Sequence, residues 1–196
     1  MVSVRGRDSS LALGMLLASL LITLSAQAQQ VRQVDPDRSK LMVHVGKSGM
    51  FSAFGHEHEI GAPVFSGSVQ GEKSVEFQVD ARQMKVLDAD VSDKDRAQIQ
   101  ADMLGPKVLD AGRYPEIKFH STAMEADKQG GWQVRGNLTL HGQTHPVVLQ
   151  VKLENGRYVG SSSFKQTDFG IKPISAGGGS VKVKDEVTVR FEIALR

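Results

Sequence analysis

Apolar and polar residues alternate with a period of two over most of the chain, which is the pattern of half-buried β-strands. The clearest run is C-terminal, where one face would carry Val187, Val189, Phe191, Ile193 and Leu195. Two further runs, from Trp132 and from Val147, are joined by the link "HGQTHP" and predict a hairpin. With the alternating runs at 41–45, 75–79 and 116–120, and strands expected within 51–69 and 158–169, the pattern predicts about eight strands. That number is enough to close an antiparallel sheet into a barrel that holds one small ligand.

One segment, "VSDKDRAQIQADMLG", breaks the alternation and predicts a helix over about 93–104. Ser92 is a suitable N-cap, acidic residues occupy the first turn, and Gly105-Pro106 is a stop signal. Its narrow apolar stripe predicts packing on the outside of the barrel or across one mouth. The fold class is therefore all-β with one short α-helix.

The first 28 residues have the pattern of a secretory signal peptide. Arg5 and Arg7 precede an apolar run over 11–24, and a small-residue stretch then ends at Ala28. The run is too short for a comfortable membrane span, which needs about 20 apolar residues, and a retained anchor is the weaker alternative. We therefore expect a leader over 1–28, a single domain over 29–196, no transmembrane segment after cleavage, and a periplasmic location.

Charge and cysteine content exclude several classes of function. The formal net charge is only +2, with 24 basic and 22 acidic residues interleaved along the chain. A protein that binds nucleic acid through phosphates would gather its basic residues on one face, so no nucleic-acid partner is expected. With no cysteine, disulfides, cysteine catalysis and zinc–thiolate sites are excluded, and stability must come from burial.

The alternation does not distinguish a solid core from a hollow one, because both bury the same apolar face. A protein with a solid core would work through its outer surface, whereas a hollow barrel would take apolar cargo. Periodicity leaves both alternatives open.

A resemblance favours the hollow barrel. Six stretches resemble the YceI-like family in order and spacing: "VDPDRSKLMVHV", "VEFQVDARQMKVLD", "MLGPKVLDAGRYPEIKFHST", "GNLTLHGQTHPVVLQVKL", "FKQTDFGI" and "VKDEVTVRFEIAL". The resemblance covers almost the whole chain after residue 28. It implies an exported, lipocalin-like antiparallel barrel that encloses a long hydrophobic cavity for polyisoprenoid chains, such as isoprenoid quinone tails.

On this interpretation the protein is a non-enzymatic lipid-binding barrel that stores or transports an isoprenoid-type amphiphile and needs no other cofactor. Such a ligand is a flexible, branched hydrocarbon that fits an apolar slot without specific hydrogen bonds. The expected ligand contacts are Val43, Val45, Phe77, Val79, Phe119, Leu138, Leu140, Phe164, Val189 and Phe191, with Phe51 and Phe54 near one mouth. The oligomeric state is left open.

The stretch "FGHEHEIG" departs from the broad family and resembles a Gly-His-x-His variant of it. In an extended segment His56 and His58 would share one face and Glu57 and Glu59 the other. Three interpretations are open: polar residues at a rim, hydrogen-bond partners for the polar head of a lipid, or a pair of metal ligands.

The metal interpretation would make the protein a metal-binding protein or a metal-dependent enzyme at His56 and His58. It would need a third ligand, and neither HExxH nor GxSxG accompanies the pair. A metal cofactor is therefore not expected. His141 and His145, which flank the link "HGQTHP", are interpreted as turn residues.

Overall fold

The computed structural model describes residues 30–48, 57–176 and 181–196. The helix α1 spans Asp93–Leu104, and single 3-10 turns occupy Pro36–Arg38, Ala81–Gln83 and Gln166–Phe169. Among the described residues, no helix is long and apolar enough to cross a membrane. The strands are β1 Val31–Gln33, β2 Lys40–Ser48, β3 His58–Gly61, β4 Val64–Gln70, β5 Ser74–Asp80, β6 Lys85–Val86, β7 Glu116–Ala126, β8 Trp132–Leu140, β9 Gln143–Glu154, β10 Arg157–Lys165, β11 Ser175–Ala176 and β12 Val181–Ile193.

All the strands belong to one antiparallel sheet, whose order is β1-β4-β5-β7-β8-β9-β10-β12-β2-β3-β6, with β11 paired to β12. The segment 58–70 makes this sheet curl, because its first part (β3) pairs with β2 and its second part (β4) pairs with β5. Strands from distant places in the order are thereby joined across Ala62 and Pro63. The predicted all-β, lipocalin-like fold with one helix is confirmed. The strand count is higher than eight because short pieces such as β6 and β11 count separately.

The N-terminal strand ties the barrel wall to the end of the chain. Val34 N donates to Gly67 O in β4, while Asp35 N donates to Ala194 O, both at 2.9 Å. Arg196 N in turn donates to Gln33 O at 2.9 Å. This short segment therefore lies between β4 and the residues that follow β12.

The apolar alternants face the interior, as the period of two predicts. In β12 Val187, Phe191 and Ile193 are buried, whereas Arg190 and Glu192 are exposed. The inward-facing residues of β12 pair with inward-facing residues of β2, since Val189 pairs with Val43 and Val187 with Val45. Facing partners share one side of an antiparallel sheet, so register and burial identify the same inner face.

The sequence predicts that "HGQTHP" is a link between two strands, but most of it belongs to a strand. β8 ends at Leu140 and β9 begins at Gln143, so the turn consists of His141 and Gly142 alone. Their φ values of 51° and 73° are those of a two-residue type I′ hairpin turn. The turn interpretation is therefore wrong for His145, which pairs with Leu138 in the hairpin and packs edge-on against Phe169 with ring centroids 5.3 Å apart.

The helix has the predicted bounds and the predicted cap. Ser92 Oγ accepts a hydrogen bond from Asp95 N at 3.1 Å. Gln100 fixes the helix to the sheet, because its side chain accepts from Val86 N and donates to Met84 O, each at 2.8 Å. Met103, on the same helix, is buried. Because the apolar stripe of α1 is narrow, hydrogen bonds contribute much of its attachment to the sheet.

Three interior glycines each lie under a phenyl ring. Gly67 is covered by Phe77, Gly136 by Phe119 and Gly160 by Phe191. A methyl group on Gly160 would come within 2.6 Å of Phe191 Cζ, and one on Gly67 within 2.6 Å of Phe77 Cδ1. Glycine in a strand often marks such a close approach. Here it lets each ring approach the backbone more closely than any side chain would allow.

We expect Gly160→Ala to lower the free energy of unfolding by about 1–3 kcal/mol, because the added methyl overpacks against the backbone oxygen of Gln150 and the ring of Phe191. Replacing glycine with alanine also reduces the conformational entropy of the unfolded chain, which stabilises the protein by roughly 0.4–1 kcal/mol. The cost of overpacking exceeds this gain. Urea denaturation measures the change. Gly112→Ala is the control, since no atom lies within 4 Å of its added methyl. Equal stability of the two variants would contradict the glycine–phenyl packing.

Candidate functional site

Three adjoining cavities run through the interior, and together we call them the lumen. The first has a volume of about 290 Å³ and the second about 90 Å³, and they share Phe77 and Phe191 in their walls. The third, of about 160 Å³, shares Val79 and Leu138 with the second. The interior therefore holds a row of adjoining spaces, of which the middle one is the smallest.

The lumen follows β12 for much of its length. Val187 borders the third cavity, Val189 the second and third, and Ile193 the first and second. Six residue steps of an extended strand span roughly 20 Å. The shape is that of a slot for a long, thin molecule.

Every described residue expected to contact ligand borders the lumen. Phe77 and Phe191 border the first and second cavities. The others border the second, the third or both: Val43, Val45, Val79, Phe119, Leu138, Leu140, Phe164 and Val189. Phe51, Phe54 and His56 lie outside the described residues. The structure thus brings the predicted set together, and its contact with a ligand stays a prediction.

The lumen also has walls that the sequence interpretation did not include. Some follow the same alternation and could have been found by extending it, as with Val75, Val147, Leu149 and Val151. Others do not lie on strands, so the period-two alternation could not identify them. Met84 follows a 3-10 turn and Met103 lies on α1, and both border the third cavity.

One end of the lumen is lined by aromatic and polar side chains. Trp132, Tyr158 and Glu72 border the first cavity there. Trp132 Nε1 donates to Glu72 Oε1 at 3.2 Å, and the Trp132 and Tyr158 rings are tilted with centroids 6.2 Å apart. The indole N–H, the polar group most able to meet a ligand here, already has a partner.

The opposite end carries His58, whose side chain lies on the inner face. His58 pairs with Val45, and two residues along Ile60 pairs with Val43. Val45 and Ile60 both border the third cavity. His58 is therefore the next inward-facing residue beyond the cavity wall, which agrees with its predicted place near a mouth.

A buried carboxylate holds the imidazole of His58. His58 Nδ1 lies 2.7 Å from Asp88 Oδ2, and Glu59 N donates to Asp88 Oδ1 at 2.8 Å. Asp88 is only 4% exposed. No local pattern in the sequence indicates Asp88, because it follows the short strand β6 and its partner lies 30 residues away.

A second histidine in the same hairpin has a similar bond on the outer face. His44 Nδ1 lies 2.7 Å from Glu59 Oε1, and His44 Nε2 lies 3.9 Å from Glu57 Oε2. His44 and Glu59 are cross-strand partners. The two glutamates of "HEHE" thus serve an outer histidine, whereas His58 has an inner carboxylate of its own.

No metal centre emerges from the described residues. Within 30–48, 57–176 and 181–196, no three histidine, aspartate or glutamate side chains are grouped so as to hold a metal ion. The metal interpretation of His56 and His58 therefore gains no support from the part of the chain that the structure describes.

The most strongly perturbed acids also lie away from the lumen. Hydrogen bonds from Arg82 hold the pKa of Asp80 at about 2, and Lys107 lowers the pKa of Asp102. Lys118 lowers the pKa of Glu116, and the backbone N–H of Gly131 lowers that of Asp127. None of these four carboxyl groups borders the lumen. These shifts reflect surface pairing and backbone hydrogen bonds.

Curated relatives match parts of this chain. A UPF0312 protein of Pseudomonas savastanoi is 35% identical over 95 residues, which cover 43% of this chain and 47% of that one. A UPF0312 protein of Vibrio cholerae is 29% identical over 146 residues, covering 68% and 70%. The chain thus matches about half the length of the Pseudomonas relative and about two thirds of the Vibrio one.

Solved structures share the fold at low sequence identity. Burkholderia cenocepacia BcnA has a TM-score of 0.55 and 18% identity, covering 82% of this chain and 98% of that one. A polyisoprenoid binding domain from Saccharophagus degradans, implicated in plant cell wall breakdown, has a TM-score of 0.54 and 16% identity, covering 83% and 95%.

The family model for the YceI-like domain matches residues 33–195, which include every strand from β2 to β12 and the whole lumen. The resemblance found in the sequence is therefore confirmed, and the chain belongs to the YceI-like family.

Proposed function

We propose that this protein binds an isoprenoid-type amphiphile, with its apolar chain in the lumen, for storage or transport. The observation that carries the proposal is the row of adjoining cavities lined mostly by aliphatic and phenyl groups. Membership of the YceI-like family supports a lipid ligand, as does the fold shared with a polyisoprenoid binding domain.

The shape and chemistry of the lumen suit a branched hydrocarbon chain. Burial of apolar surface contributes roughly 25 cal/mol per Å², and the walls offer such surface along the whole slot. A flexible chain can bend through the narrow second cavity, whereas a rigid ring system of drug size could not. A polyisoprenoid alcohol or a prenylated quinone is therefore the class of ligand we propose.

The protein would act after export. The leader-like residues 1–28, with Arg5 and Arg7 before an apolar run, support secretion to the periplasm. Binding there would shield an apolar chain from water between membranes. We propose no catalysis, and the partner is the lipid itself rather than a nucleic acid.

Protein purified from its own host is expected to carry this lipid. Extraction with organic solvent, followed by mass spectrometry, should release a species whose mass series is that of repeating isoprene units. A lipid-free extract from protein that also fails to take up geranylgeraniol would contradict the proposal.

Filling the narrow cavity should block binding. Val189 faces the lumen between the second and third cavities, so we expect Val189→Phe to weaken geranylgeraniol binding at least about tenfold, a change of about 1.4 kcal/mol. Displacement of an apolar fluorescent dye measures this affinity. Val148→Phe is the matched control, because Val148 is 41% exposed and does not border the lumen. Equal binding by both variants would place the ligand elsewhere.

The single tryptophan offers a direct reporter of occupancy. Trp132 is the only tryptophan in the chain and borders the largest lumen cavity. A hydrocarbon chain that enters this cavity displaces water from the indole, so its emission should move to shorter wavelength on titration with geranylgeraniol. Trp132→Phe should lose the signal while dye displacement still reports binding. An unchanged emission from protein saturated with ligand would show that the first cavity stays empty.

A further inference from the structure

The buried pair formed by His58 and Asp88 is not needed for an apolar slot. A buried carboxylate is costly unless it is hydrogen-bonded, and a hydrocarbon chain makes no use of one. Asp88 is nevertheless only 4% exposed, with one oxygen bonded by Glu59 N and the other by His58. Because burying the Asp88 carboxylate is costly, its retention here indicates that the orientation of His58 matters.

Asp88 fixes which nitrogen of His58 carries the proton. An ionised carboxylate only accepts hydrogen bonds, so Nδ1 of the neutral imidazole must be the donor. Nε2 is then left with a lone pair and acts as an acceptor. Within the part of the chain that the structure describes, the hydrogen bond of the ring and its ion pair both involve Nδ1.

His58 lies on the same strand face as the wall of the third cavity, just beyond it, and does not itself border that cavity. Its cross-strand partner Val45 is buried and borders the third cavity, as does Ile60 on the same strand face. His58 itself is partly buried, with its side chain 18% exposed. A polar group at the end of a chain that fills the third cavity would therefore meet the imidazole edge.

We propose that His58, held by Asp88, is the head-group acceptor of the site, and that it selects isoprenoid ligands ending in a hydroxyl group. An alcohol or a hydroquinone can donate to Nε2, whereas an ether, an ester or a quinone carbonyl cannot. This inference rests on the proposed function, because it assigns the polar end of the ligand to the His58 end of the lumen. The tail would then extend toward Trp132.

Two probes that differ in one hydrogen-bond donor test the selection. Geranylgeraniol and geranylgeranyl methyl ether have the same hydrocarbon chain, and only the alcohol can donate. We expect the native protein to bind the alcohol about tenfold more tightly, the effect of one buried hydrogen bond. Binding is followed by Trp132 emission and by dye displacement.

Asp88→Asn is the most informative variant, because it keeps both hydrogen bonds while reversing the tautomer. The asparagine oxygen can still accept from Glu59 N, and its amide nitrogen donates to His58 Nδ1. Nε2 then carries the hydrogen and becomes a donor, which serves alcohol and ether alike. The preference should fall from about tenfold to about onefold, while binding of the ether is retained or strengthened.

His58→Asn and His44→Asn form a matched pair. Asparagine at position 58 keeps a donor for Asp88 but lacks Nε2, so the alcohol preference should disappear. His44 has an equivalent carboxylate bond at 2.7 Å, but it faces outward opposite Glu59. His44→Asn should therefore keep the native preference, and its loss in that variant would contradict the assignment to His58.

A spectroscopic measurement tests the tautomer without any ligand. Long-range proton–nitrogen NMR of histidine-labelled protein should show an unprotonated Nε2 for His58 in the native chain and an unprotonated Nδ1 in Asp88→Asn. Far-ultraviolet circular dichroism checks that each variant is folded. A protonated Nε2 in the native protein at neutral pH would overturn the proposal.

The outcomes separate this inference from the proposed function. If neither probe binds, the lipid-binding function itself fails. If both probes bind the native protein equally and Trp132 responds, the function stands and the selection by His58 is wrong. If the alcohol is preferred and both Asp88→Asn and His58→Asn remove the preference, the inference is supported.

Discussion

The whole architecture depends on the backbone pairing of one extended segment, residues 58–70, with two different strands. Its first part bonds to β2 and its second part to β5, strands that lie far apart in the sheet order. This double pairing bends the sheet around on itself, and it gives each long strand a concave face and an outer face. Because side chains alternate along a strand, the apolar half of the pattern is then enclosed.

Enclosure alone does not make a hollow interior, and glycine accounts for part of the difference. At Gly67, Gly136 and Gly160 a phenyl ring from a facing strand lies against the bare backbone. A methyl group at any of these positions would clash with the ring. Bare backbone therefore lets the rings pack closely against the wall, beside cavities that a close-packed core would fill.

Much of the fold and of the lumen could be predicted from sequence because one signal is repeated along every long strand. Alternation identified inward residues such as Phe77 and Leu138, and cap residues identified α1. Residues that act through tertiary contacts had no such signal, as with Met84 after a 3-10 turn and Asp88 beyond a two-residue strand. The turn at His141 was predicted, but its short length was not, since type I′ turns favour asparagine–glycine and not histidine–glycine. His145 was consequently assigned to a loop and not to β9.

The two ends of the lumen differ in a way that bears on how a ligand would lie in it. A hydrocarbon tail gains similar burial energy in either direction, because the walls between the two ends are mostly aliphatic or phenyl. Orientation must therefore come from polar groups at the ends. At one end the Trp132 indole already donates to Glu72, whereas at the other a buried carboxylate leaves one nitrogen of His58 available. A donor that already has a partner adds little binding free energy for a ligand. An oriented acceptor beside an apolar wall adds most when a hydroxyl group of the ligand reaches it.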